Sequence, residues 1–445
     1  MTARSNHRDP RFVSRTIAVI GAGYVGLPTA ATLAHFGHRV TLAEREEGRL
    51  SALRSGRMPI VEAGLDELVA GSVEAGRLRF TASSVEAVSG AQFVFLCVPT
   101  PQGADGSADL SYVESSAKEI GPHLENGAIV VNKSTVPVGS ASMVEQVIGR
   151  PDIRVVSNPE FLREGTAVSD SLQPDRIVVG ADDTHAAALV GELFASTGAP
   201  LIVTDATTSE TIKYASNAFL ATKLSFVNAL ASLSEEVGAD VRDVLLGLGY
   251  DKRIGFEFLR PGPGWGGSCL PKDTRALLHI ARGAGYEFSL LAGAIASNDE
   301  QLARVVNKVE AACGGSVKDV TVGVWGLTFK ANTDDRRDSP SLQIAHRLLE
   351  LGATVQAFDP TVTRSDEADG TPADLSGLVV CADPYEAATG ASAVVVLTEW
   401  DEFRWLDLGR LLKLMATPSI VDARNLLDPT AVRRMGFTYV GIGRP

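Results

Sequence analysis

The chain has 445 residues, 45% hydrophobic and 21% charged, with a formal net charge of −13 and a pI near 5.1. That length exceeds what one hydrophobic core organises, so two or three domains are expected. The acidic balance excludes a sequence-independent grip on DNA or RNA.

Residues 1–14 open a polar, Arg-rich stretch without the apolar segment of a secretory signal, and are read as a flexible arm. No apolar run reaches the roughly 18 residues a membrane helix needs, so no membrane association is expected. From Arg15, "RTIAVIGAGYVGLPTAATLAHFGHRVTLAERE" reads as strand, glycine turn, small-residue helix and second strand, a βαβ unit. Its Gly21-x-Gly23-x-x-Gly26 has the strand-to-helix setting of a dinucleotide fingerprint. The first glycine permits the turn, the second lets a pyrophosphate reach the backbone, and the third lets helix and strand pack closely. Glu44 closes the second strand roughly 20 residues on, where a carboxylate binds a ribose 2′-hydroxyl and repels a 2′-phosphate. NAD is therefore expected rather than NADP, although Arg45 beside it leaves that choice slightly open.

Apolar runs at 93–99, 128–135, 154–160 and 176–180 continue the strand signal, so 15–204 is expected to be a doubly wound, mainly parallel α/β domain. From 205 the pattern turns helical, with Thr207 and Glu210 spaced as a capping box and no Gly or Pro before Gly238. One long helix is expected there, within a helical region over 205–313. Strands return with "DVTVGVWGLTFK", and 314–445 is expected to be a second doubly wound domain. Strand, glycine turn, helix, strand and acid recur at 17–44 and 321–359, a repeat of architecture rather than of sequence.

The stretch "GPGWGGSCLPKD" sets Cys269 among glycines, with Lys272 and Asp273 a turn away. A lone cysteine is usually a buried structural thiol, but a glycine bend exposes backbone donors and suits a nucleophilic thiolate. Cys97, inside an apolar strand, reads as structural, and Cys313 and Cys381 as inert. The four cysteines form no Cys-x-x-Cys pair, which fits a reducing cytoplasm, and the histidines show no ligand spacing, so no metal is expected. Lys213 and Asn217, spaced i, i+4, share a helix face and could hold an oxyanion, although a solvated lysine is the commoner use. Glu160 and Glu164 in "NPEFLREG" are by default a surface pair. Lys330, Arg336, Arg337 and Arg424 are either surface charges or phosphate contacts at strand ends.

Taken in order, "GAGYVG", "STVPVG", "NPEFLREGTAVSD", "PDRIVVG", "IKYASNAFLATKLSF", "GWGGSCLPKD", "FKANTDDRRDSP" and "VDARN" resemble the nucleotide-sugar 6-dehydrogenase family over almost the whole chain. The resemblance implies an NAD domain, a central dimerisation region and a C-terminal domain for the nucleotide sugar. It further implies a four-electron oxidation of the sugar C6 alcohol to a carboxylate through a thioester on Cys269. Asp273 and Lys213 would assist the first proton loss, with Lys213 and Asn217 stabilising the oxyanion. Glu160 would activate the hydrolytic water, positioned by Thr135. By the same resemblance Gly21, Gly23, Tyr24, Val25, Glu44, Arg49, Thr100, Thr135, Glu164, Lys272 and Arg337 match the cofactor site. Phe161, Leu162, Lys213, Asn217, Phe258, Leu259, Gly266, Lys330 and Arg424 match the substrate site. Arg253 resembles an arginine supplied across a homodimer. Glu44 stands where aspartate is more familiar, and Leu270 where UDP-glucose enzymes often carry phenylalanine. UDP-glucose is nevertheless the expected substrate, ahead of GDP-mannose and N-acetylated UDP-hexosamines.

Overall fold

The structure is a computed structural model that describes residues 13–103, 105–362 and 373–444. The arm expected over 1–14 therefore lies, apart from Val13 and Ser14, outside the described residues. The chain divides into two compact units, 1–213 and 214–445.

In the first unit the β-branched runs form eight strands. They are β1 (Thr16–Ile20), β2 (Arg39–Ala43), β3 (Leu78–Thr81), β4 (Phe93–Leu96), β5 (Ile129–Asn132), β6 (Arg154–Ser157), β7 (Ile177–Gly180) and β8 (Leu201–Thr204). Their order is β3-β2-β1-β4-β5-β6-β7-β8, and every pairing is parallel except β6 with β7. Strands buried on both faces need apolar residues at successive positions, and β4 and β5 are buried throughout. Two apolar clusters cover the sheet, one built on Ile17, Val19, Leu42 and Phe95, the other on Ala18, Ile20, Val94 and Leu96. The alternation of faces along β1 and β4 separates them. Strand order reverses between β1 and β4, and the carboxyl ends at such a switch point form a crevice for a ligand.

The second unit repeats the plan with β9 (Thr321–Trp325), β10 (Thr354–Phe358), β11 (Val379–Val380), β12 (Ala393–Val396), β13 (Ser419–Asp422) and β14 (Thr438–Val440). All its pairings are parallel, in the order β11-β10-β9-β12-β13-β14. Its helices Val241–Gly249, Leu270–Gly283 and Ser289–Ala312 precede the sheet, and Val241, Leu245, Leu302, Val305 and Val309 join Val322 and Val324 in one core.

The long helix is present as Ala206–Val237, 32 residues. Its start differs from the capping box read in the sequence. Asp205 supplies the cap, accepting from the backbone N–H and the hydroxyl of Thr208 at 2.8 and 2.7 Å. Thr207 lies inside the helix, and Glu210 instead accepts the backbone N–H groups of Gly139 and Ala141 at 2.7 and 3.0 Å. A short carboxylate immediately before the helix competes well for a first-turn donor, which freed Glu210 to cap the neighbouring helix Ser140–Ile148.

Candidate active site

The glycine loop after β1 is shaped by packing at two of its three glycines. Gly21 has φ +99°, and a Cβ there would lie 2.6 Å from the carbonyl oxygen of Cys97. A Cβ on Gly26 would meet the carbonyl oxygen of Gly21. At Gly23 it would meet no atom within 4 Å, so packing does not demand that glycine, whereas close approach of a ligand does. Glu44, at the end of β2, accepts the N–H of Ala22 at 3.1 Å and of Glu46 at 2.9 Å, which sets its carboxylate against the loop. This arrangement fits a dinucleotide with a free ribose hydroxyl. Tyr24 and Val25 lead into the helix Gly26–His35. Arg49 pairs with Glu46 at 3.4 Å, and Thr100 donates to the carbonyl of Thr135 at 2.9 Å, tying together the loops after β4 and β5.

The loop after β6 carries Glu160, a buried charge that faces Lys213 on the long helix. Lys213 and Glu160 form an ion pair at 2.8 Å with each side chain only 4% exposed. Neither behaves as the solvated group that the residues alone suggested. Glu160 also accepts the N–H of Leu162 at 2.6 Å, which curls the loop. Burial would raise the Glu160 pKa, but the charge and hydrogen bond of Lys213, the Leu162 N–H and the charge of Lys133 together hold it below the usual carboxylate range. Phe161 lies under the Arg176 guanidinium at 3.6 Å and within 5.5 Å of the Lys213 ammonium. Glu164 is half-buried, and the loop is closed by buried Glu62, which accepts from Gly165 and Ala167, both at 2.7 Å. Cys97 is buried and its thiol is pushed up to about 12 by burial, in keeping with a structural role.

In the second unit Cys269 is the half-buried residue that begins the helix Leu270–Gly283, with its sulfur 3.5 Å from the Ser268 hydroxyl. The orphan N–H groups and dipole of a helix start favour an anion at that sulfur. One turn on, Asp273 is fully buried. It accepts from Asn217 at 2.6 Å and from Lys272 at 2.5 Å, so both carboxylate oxygens are committed.

The glycine stretch ahead of Cys269 is laid down by polar side chains that sequence reasoning did not single out. Asn298 accepts the Trp265 N–H at 2.8 Å and donates to its carbonyl at 3.0 Å. Trp265 donates its indole N–H to Ser225 at 2.8 Å, Gly262 donates to Asn228 at 2.9 Å, and Gln301 donates to the Gly262 carbonyl at 2.8 Å. Gly266 is forced, since a Cβ there would lie 2.1 Å from the carbonyl oxygen of Asp338. The sequence carries no distinct signal of this network, because its polar residues lie on helices and only the fold shows them buried.

Arg424, after β13, donates to the carbonyls of Leu397 and Phe329 at 2.7 and 2.8 Å and pairs with Glu399 at 2.9 Å. Lys330 lies over the Phe329 ring at 5.4 Å, so these two cations share a neighbourhood. Phe258 takes φ +59°, and Leu259 enters the core. Arg336 pairs with Asp374 at 2.8 Å and Arg337 with Asp335 at 2.7 Å. Arg253 is 88% exposed and bonded to Asp251.

A doubly wound sheet with this glycine loop and acid at its switch point defines a dinucleotide-binding protein. Residues 15–197 match the NAD binding domain of the UDP-glucose/GDP-mannose dehydrogenase family, 207–300 its central domain and 323–429 its UDP binding domain. The chain is 47% identical over 439 residues to UDP-glucose 6-dehydrogenase of Rhizobium meliloti (strain 1021), covering 96% of this chain and 99% of that protein. It is 43% identical to UDP-glucose 6-dehydrogenase of Pseudomonas aeruginosa over 446 residues, covering 96% and 97% of the two. A solved UDP-glucose dehydrogenase from the archaeon Pyrobaculum islandicum superposes with a TM-score of 0.88 at 35% identity, covering 97% of this chain and 98% of that one. The chain belongs to the UDP-glucose/GDP-mannose dehydrogenase family: it is an NAD-dependent oxidoreductase that takes a UDP-sugar. No helix among the described residues is long and apolar enough to cross a membrane.

Proposed function

We propose that the chain oxidises UDP-glucose at C6 to UDP-glucuronate, reducing two NAD+ per sugar, through a thioester on Cys269. The observation that carries this reading is the half-buried thiol at a helix start, one turn from a buried Asp273 held between Asn217 and Lys272. Full-length similarity to proteins named UDP-glucose 6-dehydrogenase supports that substrate over GDP-mannose and N-acetylated UDP-hexosamines, even with Leu270 in place of phenylalanine.

Gly21, Gly23, Tyr24, Val25, Glu44, Arg49, Thr100, Thr135, Glu164, Lys272 and Arg337 would hold NAD+, which supplies the hydride acceptor for both oxidations. A water held by Asp273, helped by Lys213, takes the C6 hydroxyl proton as the alcohol becomes an aldehyde. The Cys269 sulfur then adds to the aldehyde carbon to form a thiohemiacetal, with the alkoxide stabilised by Lys213 and Asn217. Loss of a second hydride and a proton leaves a thioester. Glu160, already ionised, draws the proton from a water positioned by Thr135, and that water opens the thioester to carboxylate and free thiol. Phe161, Leu162, Phe258, Leu259, Gly266, Lys330 and Arg424 would orient the nucleotide sugar.

We also propose the three-part organisation 15–204, 205–313 and 314–445, action in the reducing cytoplasm that keeps Cys269 a thiol, and a homodimer in which Arg253 serves the partner subunit. Glu160→Gln tests the chemistry. Incubated with UDP-glucose and NAD+, it should accumulate a covalent uronyl adduct on Cys269, read by intact mass; a protein that stays unmodified overturns the thioester route.

A further inference from the structure

Lys133 is a buried charge with no part in the chemistry assigned to Cys269, Lys213 and Glu160. Strand register explains its position. Asn132 at the end of β5 is level with Leu96 on β4 and Ser157 on β6. The next residues, Cys97, Lys133 and Asn158, therefore stand side by side at the carboxyl edge of the sheet, two residues short of Glu160. Backbone bonds hold this edge together, from Lys133 N–H to Leu96 at 3.1 Å and from Asn158 N–H to Asn132 at 2.9 Å.

The Lys133 ammonium donates to the amide oxygen of Asn158 at 3.0 Å and lies 5.4 Å from the centre of the Phe194 ring. Asn158 cannot rotate away, because its amide nitrogen donates to the carbonyl of Val178 at 2.7 Å. A buried ammonium whose hydrogen bond goes to a neutral amide is costly unless a negative charge compensates it nearby. Glu160 is the carboxylate that interacts with it. Lys213, the other cation on Glu160, has a second duty at the C6 oxygen in the proposed reaction. When it turns to that oxygen, Glu160 is left buried and must stay ionised to act as a base.

We propose that Lys133 is a positioning residue for thioester hydrolysis, a fixed counter-charge clamped by Asn158 that keeps Glu160 a carboxylate while Lys213 serves the substrate oxygen. The proposal rests on the reading of Glu160 as the hydrolytic base. Among the described residues, the titratable groups whose charges act on Glu160 are Lys213 on the long helix, Lys133 after β5, Arg176 before β7 and Cys97 after β4. Arg176 stays charged and Cys97 stays neutral through the acid range. Lys133, lowered to about 8 by burial, is protonated wherever Glu160 would otherwise take up a proton. Removing the Lys133 charge raises the Glu160 pKa, so the acid limb of kcat moves to higher pH.

The test uses the full chain with UDP-glucose and NAD+, comparing Lys133→Met with Lys133→Arg, and with Lys133→Gln should the Met variant not fold. In the neutral variants the acid limb should move up by about one pH unit. The rapid burst of NADH should persist and adduct on Cys269 should build up during turnover, while Lys133→Arg restores both the limb and the turnover. A neutral variant with the parent pH profile and no adduct overturns the proposal, as does an Arg variant no better than the neutral ones. Glu160→Gln run alongside separates the two readings. An adduct there, with none in the neutral Lys133 variants, sinks the Lys133 proposal alone, whereas no adduct in Glu160→Gln removes the base assignment and this proposal with it.

Discussion

At the residue scale, the position of the Cys269 thiol depends on side chains far less conspicuous than itself. Asn298 closes both backbone groups of Trp265 within the glycine stretch before Cys269. Asn298→Ala leaves a buried N–H and C=O unpaired, and the cost should be about 2–4 kcal/mol. Denaturant unfolding should show that loss together with a fall in kcat that exceeds any change in KM; unchanged stability and turnover would contradict a role in setting the cysteine loop. As candidates, Cys269, Lys272 and Asp273 stood out in the sequence because an unusual thiol among glycines is conspicuous. Asn298, Ser225, Asn228 and Lys133 were not, because a polar residue in a helix or at a strand end reads as solvated until the fold buries it. Lys213 and Glu160 lay between these cases, since the spacing of Lys213 to Asn217 and of Glu160 to Glu164 was visible and the pairing of Lys213 with Glu160 across 53 positions of chain was not.

Among elements, legibility followed pattern strength. The apolar runs of β1, β4, β5 and β9 and the uninterrupted Ala206–Val237 helix stood out, because burial on both faces or a long stretch without Gly and Pro leaves a strong mark. β3, β8 and the two-residue β11 did not stand out: each is a short outermost strand, with β8 exposed along most of its length. The helix start was misjudged because Asp205 and Thr207 are both good caps, and only packing against the helix Ser140–Ile148 decides what Glu210 does. The repeat of architecture also hides a difference. Asp359, the counterpart of Glu44, accepts from Leu327, Thr328 and Trp400 at 2.7, 3.1 and 3.1 Å. Fully buried and so engaged, it serves its own loop rather than a ribose.

For the whole molecule, the proposed homodimer draws on the outer face of the long helix. Phe219, Phe226, Leu233 and Val237 are exposed by 69, 59, 56 and 67%. The first three recur every seven residues, a seam that suits a second helix. In a two-fold interface each such side chain is buried twice, so Phe226→Glu should convert a dimer to a monomer in sedimentation. It should also lower turnover by removing the partner's Arg253; a parent protein that is monomeric and fully active would contradict both statements. Four-electron oxidation at one thiol is tested most directly by the NADH that the purified protein releases from limiting UDP-glucose with excess NAD+. Two NADH per UDP-glucose are expected, with Cys269→Ser failing to complete the second oxidation. One NADH per sugar from the parent protein, or two from the serine variant, would contradict the thioester mechanism.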